Sequence, residues 1–420
     1  MAESTDKTDI WVYAHWKGMS NPRCIGILSA HRAKGRKAFS FKYDREWLQS
    51  QPQRLLDPDI GWYDGPQFPT SKENFGLFLD SMPDRWGRTL MRKRAAIEAR
   101  NAGTTPPKLY EIDFLLGVYD QSRMGGLRFK VSPDGPFVNN DENYSVPPWS
   151  YVRTLQNAAK KIEADDVKED VQKWINLLLA PGSSLGGARP KANILDEDQQ
   201  LWIAKFPSQN DFTDKGAWEY LAYRLALNAG INMSPSKLKR VTGKHHTFFT
   251  KRFDRIGSKR IHFASAMTMT GNDENTIKDN EAPPSYLEIA EFIQFAGTNI
   301  QKNLKQLWRR IVFNIMVSNT DDHLRNHGFI LTEKGWILSP AFDINPSIEK
   351  SGLSLCIDTE DNSLDLELAR SVGSYFQLTV LEMEETIKEV RSAVKTWNMV
   401  ADEIGIPPSQ QELMRPAFQL

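Results

Sequence analysis

The chain has 420 residues, of which 40% are hydrophobic and 25% are charged. This length exceeds what one ordinary hydrophobic core supports, so two or three lobes are expected. Lysine plus arginine and aspartate plus glutamate both number 53, so no net charge draws the whole chain to nucleic acid or to a membrane. The two cysteines, Cys24 and Cys356, are too few for a zinc site and suit a reducing compartment. A polar start and the lack of any apolar run of about 18 residues favour a cytoplasmic protein without a membrane partner.

The N-terminal part is predicted to contain strands and then a helical region. Runs of β-branched and aromatic residues predict three strands, 10–16, 24–28 and 38–43. A helical region is expected from a capped start at Ser71 to about residue 100, with an interruption at Pro83. The segment 131–148 is rich in proline, asparagine and glycine and predicts a loop or linker. These features define a first unit, 1–148.

The second unit, 149–253, is predicted to alternate between helices and strands. In chain order the patterns predict a helix 149–179, a glycine- and serine-rich segment 181–191, strands 191–195 and 200–206, a helix 215–228 and a strand 246–253.

The third unit, 254–420, is predicted to be mostly helical. Apolar residues recur with helical spacing over 304–316, which predicts a buried helix that ends just before a polar stretch. A hairpin over 329–339 follows, and amphipathic helices such as 380–397 complete the chain.

The polar stretch 318–329 (SNTDDHLRNHGF) is the most informative part of the sequence. Asp321 and Asn326 have the D-x-x-x-x-N spacing of a kinase catalytic loop. Asp321 is therefore the expected proton acceptor and Asn326 the expected metal ligand, while Asp322 and His323 would orient them or contact phosphates. The plain alternative is a solvated turn, rich in aspartate and asparagine, at the end of a helix.

Residues 182–191 are a candidate phosphate cradle, because small residues let backbone N–H groups approach phosphate oxygens. Arg189 and Lys191 add positive charge. The segment matches neither a Walker A motif nor G-x-G-x-x-G. A flexible glycine- and serine-rich turn is the alternative interpretation.

Three further charged residues complete the expected constellation. Lys205 lies in an apolar strand and could pair with Glu219 on the following helix. Asp343 follows the predicted hairpin between Phe342 and Ile344, and is the candidate second metal ligand. The alternatives are an edge-strand lysine, a solvated glutamate and an aspartate that only shapes a turn.

The chain resembles the HipA family of serine/threonine kinase toxins. The motifs that carry the resemblance are FLDSMPDRWGR (78–88), GGLRF (125–129), SLGGARPK (184–191), AKFP (204–207), RFDR (252–255), NTDDHLRNHGF (319–329) and PAFDI (340–344).

The resemblance implies an α+β, two-lobed fold related to phosphatidylinositol 3/4-kinases, with a β-containing N-terminal lobe and a mostly helical C-terminal lobe. It implies ATP and Mg²⁺ as cofactors and Asp321, Asn326 and Asp343 as catalytic residues, the last two on the metal. The residues it places against the cofactor are Gly186, Gly187, Ala188, Arg189, Lys191, Lys205, Glu219, Arg252, Phe253, His323, Asn326 and Asp343.

The resemblance also implies regulation and partners. Ser184, or alternatively Ser183, is the expected autophosphorylation site, and a phosphate there would repel those of ATP. A small helix-turn-helix antitoxin is the expected partner, with operator DNA bound mainly through it. An aminoacyl-tRNA synthetase is the expected protein substrate. Two other functions stay open, a catalytically silent module that binds the antitoxin and a metal-dependent phosphohydrolase.

Overall fold

The computed structural model describes residues 7–33, 36–70, 72–140, 145–164, 175, 176, 178, 187, 189–279 and 283–420. Over these ranges the chain is a mixed α/β structure with two four-stranded sheets, one three-stranded sheet and one two-stranded ribbon, all antiparallel. The coarse α+β prediction is therefore confirmed. None of the described helices is long and apolar enough to cross a membrane.

The first sheet has the strand order β3-β2-β1-β4. Its strands are β1 (Lys7–Ala14), β2 (Arg23–Ala33), β3 (Arg36–Tyr43) and β4 (Leu127–Lys130). In β1 the alternating residues Ile10, Val12 and Ala14 are fully buried, since successive side chains of a strand face opposite sides. The three predicted strands are confirmed, and β2 extends beyond its predicted end.

Four helices accompany this sheet: α1 (Arg45–Ser50), α2 (Gly76–Leu79), α3 (Arg85–Asn101) and α4 (Glu111–Leu116). The predicted break at Pro83 is present, because α2 ends before it and α3 begins after it. The helical region predicted from Ser71 begins with α2 at Gly76, and Ser71 itself lies outside the described residues. Asp84 caps α3 by accepting a hydrogen bond from the backbone N–H of Gly87 at 2.8 Å.

The second sheet has the order β5-β6-β8-β7, which makes β6 an inner strand. Its strands are β5 (Lys191–Leu195), β6 (Leu201–Lys205), β7 (Ser236–Lys239) and β8 (Thr247–Lys251), and it packs with α5 (Val152–Glu163) and α6 (Lys215–Asn228). β5 and α6 have their predicted bounds. β8 is shorter than the predicted strand 246–253 at both ends, and at its start the backbone N–H of His246 donates to Asp214 at 3.0 Å.

The two-stranded ribbon β9 (Arg255–Ile256) and β10 (Lys259–Arg260) leads to the third sheet, which has the order β11-β12-β13. The strands of that sheet are β11 (Phe263–Ser265), β12 (Gly328–Thr332) and β13 (Gly335–Leu338). The last two form the predicted hairpin.

The C-terminal helices are α7 (Ala266–Met269), α8 (Glu274–Asp279), α9 (Tyr286–Ala296), α10 (Ile300–Met316), α11 (Leu366–Ser371), α12 (Val380–Val394), α13 (Trp397–Ile404) and α14 (Pro408–Met414). Helix α10 is buried almost throughout from Leu307 to Met316, so the predicted buried helix is confirmed. One hydrophobic cluster joins Ile10 near one end of the chain to Phe418 near the other. The proposed unit boundaries, 1–148, 149–253 and 254–420, stay predictions.

Candidate functional site

Lys205 lies at the end of β6, and its ammonium contacts two carboxylates. Nζ is 2.5 Å from Oε1 of Glu219 on α6 and 2.6 Å from Oδ1 of Asp343, which follows β13. The Lys205 side chain is only 7% exposed. Because β6 is an inner strand, Lys205 is not an edge lysine facing solvent, and the predicted pair with Glu219 is present.

Burial opposes charge on all three groups of this lysine–carboxylate triad. Burial acts to lower the pKa of Lys205, but Asp343 and Glu219 hold that pKa above its ordinary value. Burial acts to raise the pKa of Asp343, yet Lys205 lowers it to about 2. At Glu219 burial outweighs the attraction of Lys205, and the pKa is raised. Asp343 is therefore the carboxylate held most firmly in its ionised form.

The backbone at Asp343 has a left-handed conformation, with φ of 59°. This conformation is uncommon for residues other than glycine and is maintained by surrounding contacts. Asn345 supplies two of them, since its Nδ2 donates to Oδ1 of Asp343 at 3.3 Å and its backbone N–H donates to Oδ1 of Asn319 at 3.1 Å. The Asp343 turn is thereby tied to the polar stretch that follows α10.

Asp321 and Asn326 lie in that polar stretch in different environments. The Asp321 side chain is 78% exposed, with one oxygen 3.8 Å from the Lys350 ammonium. Asn326 is buried, and its Nδ2 donates to the backbone oxygen of Asp321 at 3.0 Å. Its Oδ1 is buried without a hydrogen-bond partner. A buried oxygen without a donor is costly, so this atom is available for a cation.

Asp322 faces away from solvent and organises the stretch. Its Oδ2 accepts hydrogen bonds from the Tyr286 hydroxyl at 2.5 Å and from Asn314 Nδ2 at 2.8 Å, and it lies 2.7 Å from Nε2 of His327. All four side chains are buried. The expectation that Asp322 would orient its neighbours agrees with this network, which connects α9, α10 and the start of β12.

His323 begins the 3-10 turn Leu324–Asn326, and its Nδ1 is buried without a hydrogen-bond partner. Its ring is close enough to Asp343 to contribute to the lowering of the pKa of that carboxyl group, although less than Lys205 does.

The candidate cradle is only partly within the described residues. Ser183, Ser184, Gly186 and Ala188 lie outside them. Both cations of the segment have acidic partners: Arg189 forms a bidentate pair with Asp211 at 3.0 and 2.5 Å, and Lys191 Nζ is 2.9 Å from Asp84 Oδ2. Lys191 Nζ also donates to the backbone oxygen of Gly187 at 3.0 Å.

A cleft extends from the triad toward the segment after β8. Its lining is largely apolar and includes Lys205, Glu219 and Asp343 together with residues 251–254. The lining also includes Ile203, Tyr223, Met233, Phe248, Phe253, Phe342 and Ile344. A largely apolar cleft with a few convergent charged groups is the usual form of a ligand-binding site.

Arg252 and Phe253 occupy different parts of this cleft wall. The Phe253 ring lies 5.6 Å from that of Phe342. The Arg252 guanidinium turns into the protein, bonds both oxygens of Asp254 at 2.8 and 2.6 Å, and donates to the backbone oxygen of Ser122. Arg252 thus presents its backbone to the cleft and uses its side chain to hold the N-terminal segment in place.

The described donors fit a magnesium ion bound with a nucleotide. Oxygen ligands suit Mg²⁺, which commonly takes one or two protein groups together with phosphates. Asn326 Oδ1 and the ionised Asp343 carboxylate are oxygen donors of this kind. Over the described ranges, three or more His, Cys, Asp and Glu side chains do not gather at one point.

Sequence reasoning did not find several residues of the site. Tyr286 and Asn314, which bind Asp322, stand in ordinary helical patterns and gave no separate signal. Met233 and Tyr223 of the cleft look like core residues in the sequence. Asp84 gave a weak signal, because it belongs to the 78–88 motif, but its partner Lys191 is distant along the chain.

The fold and the site define a mixed α/β protein with a charged cleft between its second sheet and the turn that follows β13. A family model described as the HipA-like C-terminal domain matches residues 183–397, slightly more than half of the chain. The chain therefore belongs to the HipA-like C-terminal domain family.

Two curated relatives match part of the chain. A Haemophilus influenzae protein named "Putative kinase" is 27% identical over 179 residues, which cover 39% of this chain and 52% of the relative. The Sinorhizobium fredii protein "Putative kinase Y4mE" is 22% identical over 157 residues, 36% of each chain. The chain thus spans about half of the first relative and about a third of the second.

A solved structure shares the whole fold. It is described as the Shewanella oneidensis MR-1 toxin–antitoxin system HipA, HipB and its operator DNA complex. The similarity has a TM-score of 0.66 at 17% identity and covers 97% of this chain and 94% of that chain. It therefore includes the N-terminal sheet, which lies outside the family match.

Proposed function

We propose that the protein is an ATP- and Mg²⁺-dependent serine/threonine protein kinase that acts as the toxin of a toxin–antitoxin pair. The observation that carries the proposal is the lysine–carboxylate triad at the end of an apolar cleft. A buried ion pair adds little stability compared with apolar packing, so this triad has a better explanation in chemistry than in folding.

Each described group has a role that its position allows. Glu219 holds Lys205, which contacts phosphates, as in the lysine–glutamate pair of kinases. Asn326 Oδ1 and Asp343 hold the metal, and the exposed Asp321 accepts the proton of an incoming hydroxyl. The backbone of 251–253 and the side chain of Phe253 face the purine. ATP supplies the phosphoryl group, and Mg²⁺ neutralises charge on it.

The charge balance of the triad supports metal binding. Two carboxylates face one ammonium, so the site without ligand has an excess of acidic groups. Asp343 and Asn326 Oδ1 would hold a divalent cation, which would offset that excess and give the unpartnered Oδ1 of Asn326 a partner.

Autophosphorylation and partners form the finer part of the proposal. Ser184, with Ser183 as the alternative, accepts the phosphate and thereby switches the kinase off by charge repulsion. The antitoxin is a small helix-turn-helix protein that carries most of the affinity for operator DNA, in keeping with equal numbers of acidic and basic residues here. The protein substrate is an aminoacyl-tRNA synthetase, and the compartment is the cytoplasm.

The proposal is tested by incubating purified protein with γ-labelled ATP and Mg²⁺ and mapping the label by mass spectrometry. We expect label on Ser184 or Ser183 and on a synthetase added as substrate. Free phosphate without phosphoprotein would instead indicate a phosphohydrolase. Antitoxin binding without any nucleotide chemistry would indicate a silent binding module.

A further inference from the structure

The turn between α2 and α3, residues 80–84, contacts Lys191 at the end of the candidate cradle and Ser265, which pairs with the end of the polar stretch. It contains two aspartates, Asp80 at the end of α2 and Asp84 at the start of α3. These side chains leave the turn for different partners far along the chain. Pro83 between them fixes one backbone angle and so stiffens the turn.

Asp84 holds the end of the cradle. Its Oδ2 is 2.9 Å from Lys191 Nζ, and both side chains are almost fully buried, at 8% and 3% exposed. Trp86, in the first turn of α3, donates from Nε1 to the backbone oxygen of Lys191 at 3.1 Å. Lys191 in turn holds the backbone oxygen of Gly187 at 3.0 Å. The first residue of β5 is thus fixed through its side chain and its backbone.

Asp80, at the other end of the turn, holds Ser265. Its two oxygens accept from the backbone N–H and from the hydroxyl of Ser265, each at 2.7 Å. Ser265 caps α7 and pairs in the third sheet with Gly328, near the end of the polar stretch. The next residue, Ala266, donates its N–H to the backbone oxygen of His327 at 2.9 Å.

The contact between α2 and α7 is close enough to require a glycine. A Cβ on Gly76 would lie 2.6 Å from the Thr268 hydroxyl oxygen and 2.7 Å from its methyl carbon. The N-terminal segment is therefore packed directly against the helix that supports the polar stretch, and this contact leaves little freedom for the turn to shift.

We infer that residues 80–84 are a two-ended brace that sets the distance between the phosphate cradle and the polar stretch carrying Asp321 and Asn326. Asp84 and Asp80 are positioning residues in this account, because neither lines the cleft. Lys191 acts with Asp84 to fix the start of β5. The inference rests on the proposed kinase function for its consequence, while the brace itself is a property of the protein without ligand.

The first test measures backbone hydrogen exchange in the protein without nucleotide. We expect Asp84→Asn to increase exchange over 189–195 and Asp80→Asn to increase it over 265–269 and 323–328, each leaving the other region less affected. Asparagine can still cap α3, so Asp84→Asn removes the charge while keeping the helix start. Unchanged exchange in both regions, or uniform change across the chain, would overturn the brace.

The second test separates the two ends by kinetics. Asp84→Asn is expected to raise KM for ATP on the order of 10-fold to 100-fold with a smaller change in kcat, because the cradle is displaced. Asp80→Asn is expected to lower kcat more than it raises KM, because the polar stretch moves.

Asp59→Asn is the matched control for both tests. Asp59 is 2.8 Å from Lys72 in another buried ion pair of the same N-terminal segment, and it lines no part of the cleft. If this control and Asp84→Asn lost activity equally, the turn would provide only general structural support, and the inference would be wrong. If wild-type protein transferred no phosphate while hydrogen exchange behaved as expected, the brace would stand and the proposed function would fail.

Discussion

Lys205 is the residue on which the proposed chemistry depends most. Glu219 is buried with it and Asp343 is partly buried, so the lysine neutralises charge that the fold otherwise has to hold unpaired. The sequence predicted the Glu219 partner from kinase-like order, and it identified Asp343 as a carboxylate that needs a cation when buried. It did not predict that the same ammonium serves both. That contact depends on a turn distant along the chain.

Replacement of Lys205 by methionine is expected to destabilise the protein. The buried Glu219 and the partly buried Asp343 lose their counter-charge, and breaking a buried pair from one side costs about 3–5 kcal/mol. Urea denaturation measures the loss in free energy of unfolding. The double variant Lys205→Met with Glu219→Gln is expected to recover part of it, because one uncompensated charge is removed. No recovery in the double variant would contradict the charge explanation.

At the scale of elements, the stretch between α10 and β12 is held by one buried carboxylate. Asp322 receives donors from α9 and α10, and Tyr286 is held as the protonated phenol because burial and Asp322 raise its pKa. This network fixes the backbone from which Asp321 and Asn326 project.

Tyr286→Phe removes one donor to Asp322. The expected cost is about 1.5–3 kcal/mol in free energy of unfolding, as for a hydrogen bond to a charged group. Phosphoryl transfer is expected to slow with little change in KM for ATP, since the cleft is untouched. Tyr375→Phe is the control, because Tyr375 is 60% exposed. Equal effects of the two substitutions on stability and rate would contradict the role given to the network.

The elements themselves were largely predictable, and the exceptions have physical reasons. β5, α6 and the β12–β13 hairpin follow from local periodicity and turn residues, so their bounds agree closely with the prediction. Helix α2 starts later than predicted. Strand β8 begins one residue later than predicted, because the backbone N–H of His246 donates to Asp214. The ionic cluster around Asp254 joins residues from distant parts of the chain, which periodicity does not connect.

At the scale of the whole molecule, His262 marks the junction between the N-terminal sheet and the third sheet. Its ring stacks on Trp16 at 4.9 Å and lies 5.6 Å from Trp336. The side chain is only 1% exposed, and Nε2 is buried without a partner. Burial lowers the pKa of His262 to about 3, so the imidazole is neutral in the folded protein.

Because His262 is neutral in the folded protein, we expect the protein to lose stability in mild acid. Below the ordinary histidine pKa of about 6.5 the unfolded chain binds a proton at His262 that the folded chain does not bind. The free energy of unfolding therefore falls as the pH falls toward 3. From pH 7 to pH 5 the contribution is about 2 kcal/mol. His262→Phe is expected to reduce the pH dependence of the unfolding free energy by that amount. His31→Gln, on the inner strand β2 of the first sheet, is the control, and an equal reduction there would contradict the assignment.

The central claim, that the cleft beside Lys205 transfers a phosphoryl group with Asp343 and Asp321 in its machinery, is tested most directly by one comparison. Protein-bound label from γ-labelled ATP and Mg²⁺ is measured for wild type, Asp343→Asn, Asp321→Asn and the exposed-turn control Asp198→Asn. We predict label on wild type and on the control, and a loss on the order of 100-fold or more in the other two. Undiminished label in Asp343→Asn, or none in wild type, would contradict the account.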